Sequence, residues 1–486
     1  MQFSEATKND PSMELQIISP EGLDKIHQGA LYILENTGIV IDDNEAKDLL
    51  KKEGATLHEK NIVKIPAKII DKALSTLPRT FHATGRGGKD FTFGDGKVRF
   101  TSFGESPQII DPKTGEVRNV TVKDVENYAR VVDALPAHDM CWDAWVPTDV
   151  PAETYCLHTL KAYLENTTKF VTTAAVDGVT AAAVVEMMTA VAGSQEELRK
   201  NPIGMAGTCP KSPLYLDKGT CESTITLARG GVPIINTSAL TAGGTGPVTL
   251  AGTIAIHHAE MLANITLSQL AYPGSIFVYG CCTTALDLRK GTSTFGCPEI
   301  GMCSAALSKL CQKYQIPHVV AGFWTDSKVS DLQCGHEKTL NGILPALAGA
   351  DMIFGTAGLA AGMSGSYAQL VADDEMIANL RRVMAGIPVE DIDLALDLID
   401  KVGPQGNFLS EEHTVMNMRR SQIYPKYGDR AMVHEWISAG SKTMADNAET
   451  KANELLTEYQ PQPMDEALKE KLAEIIFKTE QSLGLN

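Results

Sequence analysis

The sequence predicts an α/β protein built on a (β/α)8 barrel of the TIM type, with an N-terminal helical and hairpin preface and a C-terminal helical layer. Three observations lead there. Short β-rich runs begin near Val98, Met140, Phe170, Ile203, Val232, Ser275, Pro317 and Ala350, spaced by roughly 30 to 45 residues, which suits a chain of βα units. A long apolar helical pattern follows each run. One run ends in Phe323-Trp324-Thr325-Asp326-Ser327-Lys328 and passes into Asp331-Leu332-Gln333-Cys334-Gly335-His336-Glu337-Lys338. A buried strand that empties into polar residues is how a barrel presents chemistry at its C-terminal face.

The preface spans residues 1–97. From Pro20 to about Pro78 the pattern is helical: Leu23, Ile26, Ala30, Ile33 and Leu34 share a face, and Ile65-Pro66 opens a second helix through Ile70, Ala73 and Leu74. Between Phe81 and Val122 alternating, Gly-rich segments such as Phe91-Thr92-Phe93-Gly94-Asp95-Gly96-Lys97-Val98 predict hairpins. The first barrel start, at Val98, also fits the tail of such a hairpin, so seven starts stand out more clearly than eight. The barrel is expected over residues 98–373. Beyond, over 374–486, helices dominate: Ile392, Ala395, Leu396 and Ile399 fall on one face, and Lys451 to Tyr459 and Met464 to Leu483 read likewise. Pro461 to Pro463 reads as a turn rather than a linker.

With 486 residues, 43% of them hydrophobic, the chain can bury a large core. Lys+Arg 43 against Asp+Glu 60 gives a net charge of −17, with no basic run, which argues against a nucleic-acid partner. Met1 to Pro11 is polar rather than a signal core, and no run of about 18 apolar residues follows, so no membrane partner and a cytoplasmic location are expected. The ten cysteines lack the spacing of a disulfide framework and read as reduced thiols. A homo-oligomer is expected on the general frequency of such assemblies.

The chain contains no Gly-x-Ser-x-Gly elbow, P-loop, complete Gly-x-Gly-x-x-Gly, His-Glu-x-x-His or Cys-x-x-Cys. Gly243-Gly244-Thr245-Gly246-Pro247 is either a phosphate cradle or a tight turn. Cys281-Cys282, with His257-His258 and Cys297, raises a zinc site, but adjacent strand residues point to opposite faces, so only one thiol could reach the barrel interior. No metal is expected.

The block from Phe323 to Met376, including Gln369-Leu370-Val371-Ala372-Asp373-Asp374-Glu375-Met376, resembles the trimethylamine methyltransferase family. So do Gly104-Glu105-Ser106-Pro107, Asp111-Pro112-Lys113-Thr114-Gly115, Asp133-Ala134-Leu135-Pro136, Arg381-Arg382 before Gly386-Ile387, and Val402-Gly403-Pro404-Gln405-Gly406-Asn407-Phe408-Leu409 with His413-Thr414. The resemblance covers nearly the whole chain. It implies transfer of a methyl group from an amine to the Co(I) of a corrinoid protein. Corrinoid carriers show an Asp-x-His-x-x-Gly segment, and no His here has both partners: His82 precedes Gly85 but follows Thr80. The resemblance therefore implies a cobamide supplied by a separate corrinoid protein docking on the barrel mouth, with none bound by this chain. Small residues at Gly243 to Pro247 would let a flat corrin ring come close. Founding members carry pyrrolysine, proposed to bind and activate a neutral methylamine; every residue here is ordinary, and Leu332 is taken as the equivalent position. That departure points to a donor already quaternised, glycine betaine first, with proline betaine and carnitine behind it.

A quaternary ammonium leaves as a neutral tertiary amine and needs no proton. A carboxylate salt-bridged to it would stabilise the ground state more than the transition state; an aromatic cage gives affinity with a milder penalty, about 0.5 to 2 kcal/mol per contact. Aromatic residues at predicted strand ends are Phe103, Trp142, Trp145, Tyr279, Phe323 and Trp324, each of which could instead pack barrel to helix. The polar candidates are Glu105, Lys328, Gln333 and His336, with Asp326 and Glu337 behind them. Asp331 and Glu337 also fit a helix N-terminal turn, and Lys328 could meet a betaine carboxylate or pair with Asp326 or Asp331. The rival activities are a zinc-dependent corrinoid methyltransferase using Cys281 or Cys282, and a non-catalytic binder of betaine-like cations.

Overall fold

A computed structural model describes residues 14–485; the polar Met1 to Pro11 stretch lies outside the described residues. Eight parallel strands form one sheet: β1 Arg99–Ser102, β2 Met140–Cys141, β3 Phe170–Ala174, β4 Gly204–Gly207, β5 Ile234–Ser238, β6 Phe277–Cys281, β7 His318–Ala321 and β8 Met352–Thr356. Neighbours pair in chain order, β8 returns to pair with β1, and the β1–β2 seam is bridged by Asp139 N–H to Phe100 O (2.9 Å) and Gly104 N–H to Asp143 O (3.1 Å). The barrel is therefore nearly closed, and each strand starts within two residues of its predicted position. β1 pairs with β8 rather than with the preceding hairpin, so the eighth unit is present.

A helix follows every strand: α1 Val122–Ala134, α2 Tyr155–Asn166, α3 Gly178–Ala192, α4 Lys218–Gly230, α5 Leu250–Ala271, α6 Pro298–Tyr314, α7 Leu332–Leu347 and α8 Tyr367–Met384. Local chemistry sets their ends. Thr121 and Asp124 form a capping box on α1, Asp177 and Thr180 one on α3, and left-handed Gly193 and Gly231 stop α3 and α4. α8 continues to Met384, eleven residues past Asp373, so the sequence-derived barrel boundary falls inside the eighth helix.

The preface differs from its helical reading. Helices Pro20–Tyr32, Asn44–Lys52 and Ala67–Thr76 are interleaved with strands Ile39–Ile41, Thr56–Leu57 and Ile62–Lys64, which join Tyr215–Leu216 in a small four-stranded sheet. This unit packs on α5, whose Ala259, Leu262, Ala263 and Leu267 face it while Met261 and Ile265 face the barrel. Burial on both sides explains a helix apolar nearly all round. The expected hairpins are present: Phe81–Ala83 with Phe91–Phe93, and Gln108–Ile110 with Val117–Asn119. The first stops the N-terminal end of the barrel, where Phe91 packs edge-on against Phe170 (5.8 Å) and Arg99 lies over the Phe91 ring (4.7 Å).

After α8 the chain is helical, as expected. The face read through Ile392, Ala395, Leu396 and Ile399 is divided between two short helices, 391–394 and 396–402, because Ala395 is left-handed (φ +50°). Residues 387–437 leave Ile387, Val389, Leu409, Met416, Val433 and Ile437 exposed. α9 Met444–Glu458 and α10 Glu466–Ser482 return to the barrel; α9 packs on α8 and α1, and α10 on α2 and α3. No helix among the described residues is long and apolar enough to cross a membrane.

Candidate active site

Side chains alternate between the two faces of each barrel strand, and that alternation decides which of them line the mouth. Met140, Trp142, Phe170, Met205, Ile235, Val278, Val319 and Phe354 fill the interior; Cys141, Trp145, Val171, Ala206, Ile234 and Tyr279 fill the layer under the helices. Above the interior, at the C-terminal ends of β1 to β5, is a cavity of about 220 Å³ lined by Phe103, Glu105, Trp142, Asp143, Tyr155 and Cys209 with several threonines. A larger cleft of about 560 Å³ opens at the opposite end, beside the strand-start residues His318 and Asp351. Barrels of this kind keep chemistry at the C-terminal face, so the smaller cavity is the candidate site.

Its wall is aromatic. Phe103 lies 4.8 Å from Trp142 and 5.0 Å from Phe354, and Trp142 lies 5.0 Å from Phe354. Phe103 is half-buried, as is Tyr155 at the start of α2, while Trp142 is 4% exposed. Trp324 supports Phe103 from behind, edge-on at 6.5 Å, and stacks obliquely with Phe295 at 4.9 Å.

Two carboxyl groups share the same wall. Asp143 is 2% exposed; its Oδ2 accepts from Ala174 N–H (2.8 Å), while Oδ1 has no hydrogen bond of ordinary geometry. Burial, reinforced by the nearby Glu105 charge, holds its pKa well above the usual carboxylate range, against the opposing effects of Ala174 N–H and the Tyr163 hydroxyl. Glu105 is exposed at the mouth, and loss of water to the groups packed around its carboxyl raises its pKa. Cys209 is exposed at the cavity, and loss of water around its sulfur, with Glu105 nearby, pushes the thiol up to about 12.

Of the residues singled out from sequence, the structure brings Phe103, Glu105 and Trp142 to the cavity, with Trp324 one ring behind. Trp145 and Tyr279 are corrections: both point outward by strand alternation, Trp145 onto Tyr128 and Tyr367, Tyr279 onto His257 and His258. Phe323 turns outward at φ +55° and packs on Phe100. Lys328 is exposed and donates to Asp326 O; Leu332 is 89% exposed; Gln333 bonds Glu337 and His336 faces solvent. None of these four lines the cavity, because they belong to the outer loop and first turns of α7. Glu337 is structural there, accepting from Thr325 Oγ1 (2.6 Å) and Asp326 N–H (2.9 Å), and Asp331 caps α7 through Cys334 N–H.

Other sequence features resolve in the same way. Gly243, Gly244 and Gly246 N–H groups bond within their own turn, so the loop is a tight turn. Cys281 points outward and Cys282 inward; burial pushes the Cys281 thiol up to about 12 and the Cys282 thiol well above its usual range, which opposes thiolate ligation. Among the described residues no three His, Cys, Asp or Glu side chains gather as a metal-binding group. Sequence reasoning missed Asp143, Tyr155 and Cys209. Asp143 had a signal, an acidic residue directly after Trp142 at a strand end; Tyr155 and Cys209 lie in segments with none.

The trimethylamine methyltransferase family model matches residues 2–484. The chain belongs to this family. It is 38% identical over 469 residues to the trimethylamine methyltransferase MttB of Desulfitobacterium hafniense, covering 96% of this chain and 94% of that one. It is 36% identical over 480 residues to MttB of Methanosarcina barkeri, covering 97% and 96%. A glycine betaine methyltransferase of D. hafniense is 28% identical over 472 residues, covering 96% and 98%. MtmB in its hydroxylamine complex shares the fold, with a TM-score of 0.52 at 15% identity over 92% of this chain and 90% of that one. The protein is thus an enzyme of the methyltransferase class.

Proposed function

We propose that the protein demethylates a quaternary amine at the Phe103–Trp142–Tyr155 cavity, transferring the methyl group to Co(I) of a separate corrinoid protein that docks over the mouth. The observation that carries this reading is an aromatic wall beside two carboxyl groups, with neither Lys nor Arg among the described residues of the lining. A methylammonium fits such a surface through cation–π contact. The C–N bond breaks with its electron pair staying on nitrogen, the cobalt electron pair forms the C–Co bond, and the neutral tertiary amine leaves without a proton. The protein positions the donor in line and excludes water. Glu105 and Asp143 flank the donor but need not transfer a proton to complete the reaction.

The name of one relative supports glycine betaine, the donor favoured from sequence, but nothing in the cavity wall offers its carboxylate a cation. The exposed apolar residues between 387 and 437 support a homo-oligomer. The test is anaerobic: purified enzyme, a Co(I) corrinoid protein, and a panel of trimethylamine, choline, glycine betaine, proline betaine and carnitine, followed by cobalt absorbance. A response to a quaternary amine and none to trimethylamine is expected. A response to trimethylamine alone would overturn the reading; silence with every donor would favour a cation-binding protein.

A further inference from the structure

The two carboxyl residues of the cavity are built into each other. Asp143 O accepts both Gly104 N–H (3.1 Å) and Glu105 N–H (3.2 Å), which fixes Glu105 in the left-handed region (φ +47°) that non-glycine residues rarely adopt. The main chain is bent there so that a carboxylate-bearing side chain stands at the mouth of an aromatic cavity. Asp143, buried in the same wall, is held by Ala174 N–H on Oδ2 (2.8 Å) with the Tyr163 hydroxyl beside it. Two carboxyl groups on an aromatic wall with no Lys or Arg among the described lining residues favour a ligand of net positive charge. Lys328, the cation that the sequence offered for a substrate carboxylate, is elsewhere: it donates to Asp326 O outside the cavity.

We propose that Glu105 and Asp143 select substrates by net charge, so that the preferred methyl donor is a quaternary ammonium carrying no carboxylate, of the choline type, rather than a betaine. This rests on the reading of the cavity as the methyl-donor site. Both carboxyls have raised pKa values, through loss of water and, for Asp143, the nearby Glu105 charge, and a cation beside them opposes that shift. A cation is attracted by the two carboxyl groups, whereas a betaine brings a carboxylate that they repel and that no Lys or Arg among the described lining residues offsets. The ground-state attraction lowers KM at some expense in kcat, since positive charge on nitrogen dissipates as the methyl group leaves.

Choline and glycine betaine are close in size and differ chiefly in the carboxylate, which makes them the test pair. For the wild type, KM for choline is expected to lie at least tenfold below that for glycine betaine. Glu105→Gln should raise the choline KM at least tenfold and lower the betaine KM, narrowing the ratio. Equal or inverted preference in the wild type, or a proportional rise in KM with both donors in the variant, overturns the proposal. Glu105 is open to solvent, so this variant should fold; Asp143→Asn provides a second arm. If neither compound donates a methyl group, the reading of the site fails separately, and calorimetric binding decides the selector: choline tighter than betaine with the difference lost in Glu105→Gln upholds it, and equal affinities overturn it.

Discussion

Replacing Phe103 by leucine should weaken the binding of a quaternary amine while leaving the barrel intact. The Phe103 ring is half-buried on the cavity wall, 4.8 Å from Trp142, 5.0 Å from Phe354 and 6.5 Å from Trp324. Leucine keeps a branched apolar side chain against those rings, so the loss of stability should stay under about 1.5 kcal/mol. What disappears is the π face, about 0.5 to 2 kcal/mol of cation–π attraction. At about 1.4 kcal/mol per factor of ten, KM should rise about 2- to 30-fold. Nitrogen keeps part of its charge in the transition state, so part of the contact survives there; KM should rise with little change in kcat, and kcat/KM should fall. The assay is methyl transfer to Co(I) corrinoid protein with the best quaternary donor. Its control is 3,3-dimethylbutan-1-ol, which has the shape of choline without the charge, tested as a competitive inhibitor. An unchanged KM, or inhibition weakened as much for the neutral isostere as for the cation, would refute a cage at Phe103.

Trp324→Ala should act first on the fold. A Cβ on Gly355 would come within 2.6 Å of the indole Cδ1 and one on Gly362 within 2.3 Å of Cζ3, so the ring fills a nest made by those two glycines, and its removal should cost about 3 to 5 kcal/mol in denaturant unfolding; a variant of wild-type stability would place the ring elsewhere. Lys338 and Asp373, both fully buried and 3.0 Å apart, tie α7 to α8 while Lys338 also holds Phe323 O. Lys338→Met or Asp373→Leu alone should each cost about 3 to 5 kcal/mol and the pair together clearly less than the sum; additive costs would show that the two are uncoupled. Burial holds the His257 pKa at about 3 and His258 well below its usual value. The unfolded chain gains these protons near pH 6.5 and the folded chain does not, so stability should fall as pH drops from about 6.5 toward 3, by about 1.4 kcal/mol per histidine per pH unit. His257→Asn should give a shallower slope between pH 7.5 and 5, and an unaltered slope would contradict the assignment.

The barrel was legible because its strands are buried on both faces, and such strands read as continuous apolar runs with sharp starts. The small N-terminal sheet was not, since Ile39–Ile41 is three residues long and one of its partners, Tyr215–Leu216, lies far along the chain. The site was partly legible for the same reason. Strand ends could be located, which found Phe103, Glu105 and Trp142, but facing was not counted from an interior anchor. Two-residue counting from Met140 brings Trp142 inward, and from Val278 it sends Tyr279 outward. Applied to the aromatics as it was to Cys281 and Cys282, it would have removed Tyr279. Phe323 escapes any such count, because it follows the strand in a left-handed turn that one sequence does not announce. The polar cluster from Lys328 to His336 attracted attention by density, whereas Asp143 stands alone in an apolar run and shapes the cavity.

The most direct test of the central claim follows the methyl group itself. The enzyme is incubated anaerobically with Co(I) corrinoid protein and a donor deuterated on its N-methyl groups, and the cobalt-bound methyl and released amine are quantified by mass spectrometry. The account predicts one deuterated methyl on cobalt for each tertiary amine released, with rates cut by Phe103→Leu at subsaturating donor. Deuterated methyl on cobalt from trimethylamine but from no quaternary amine would contradict it.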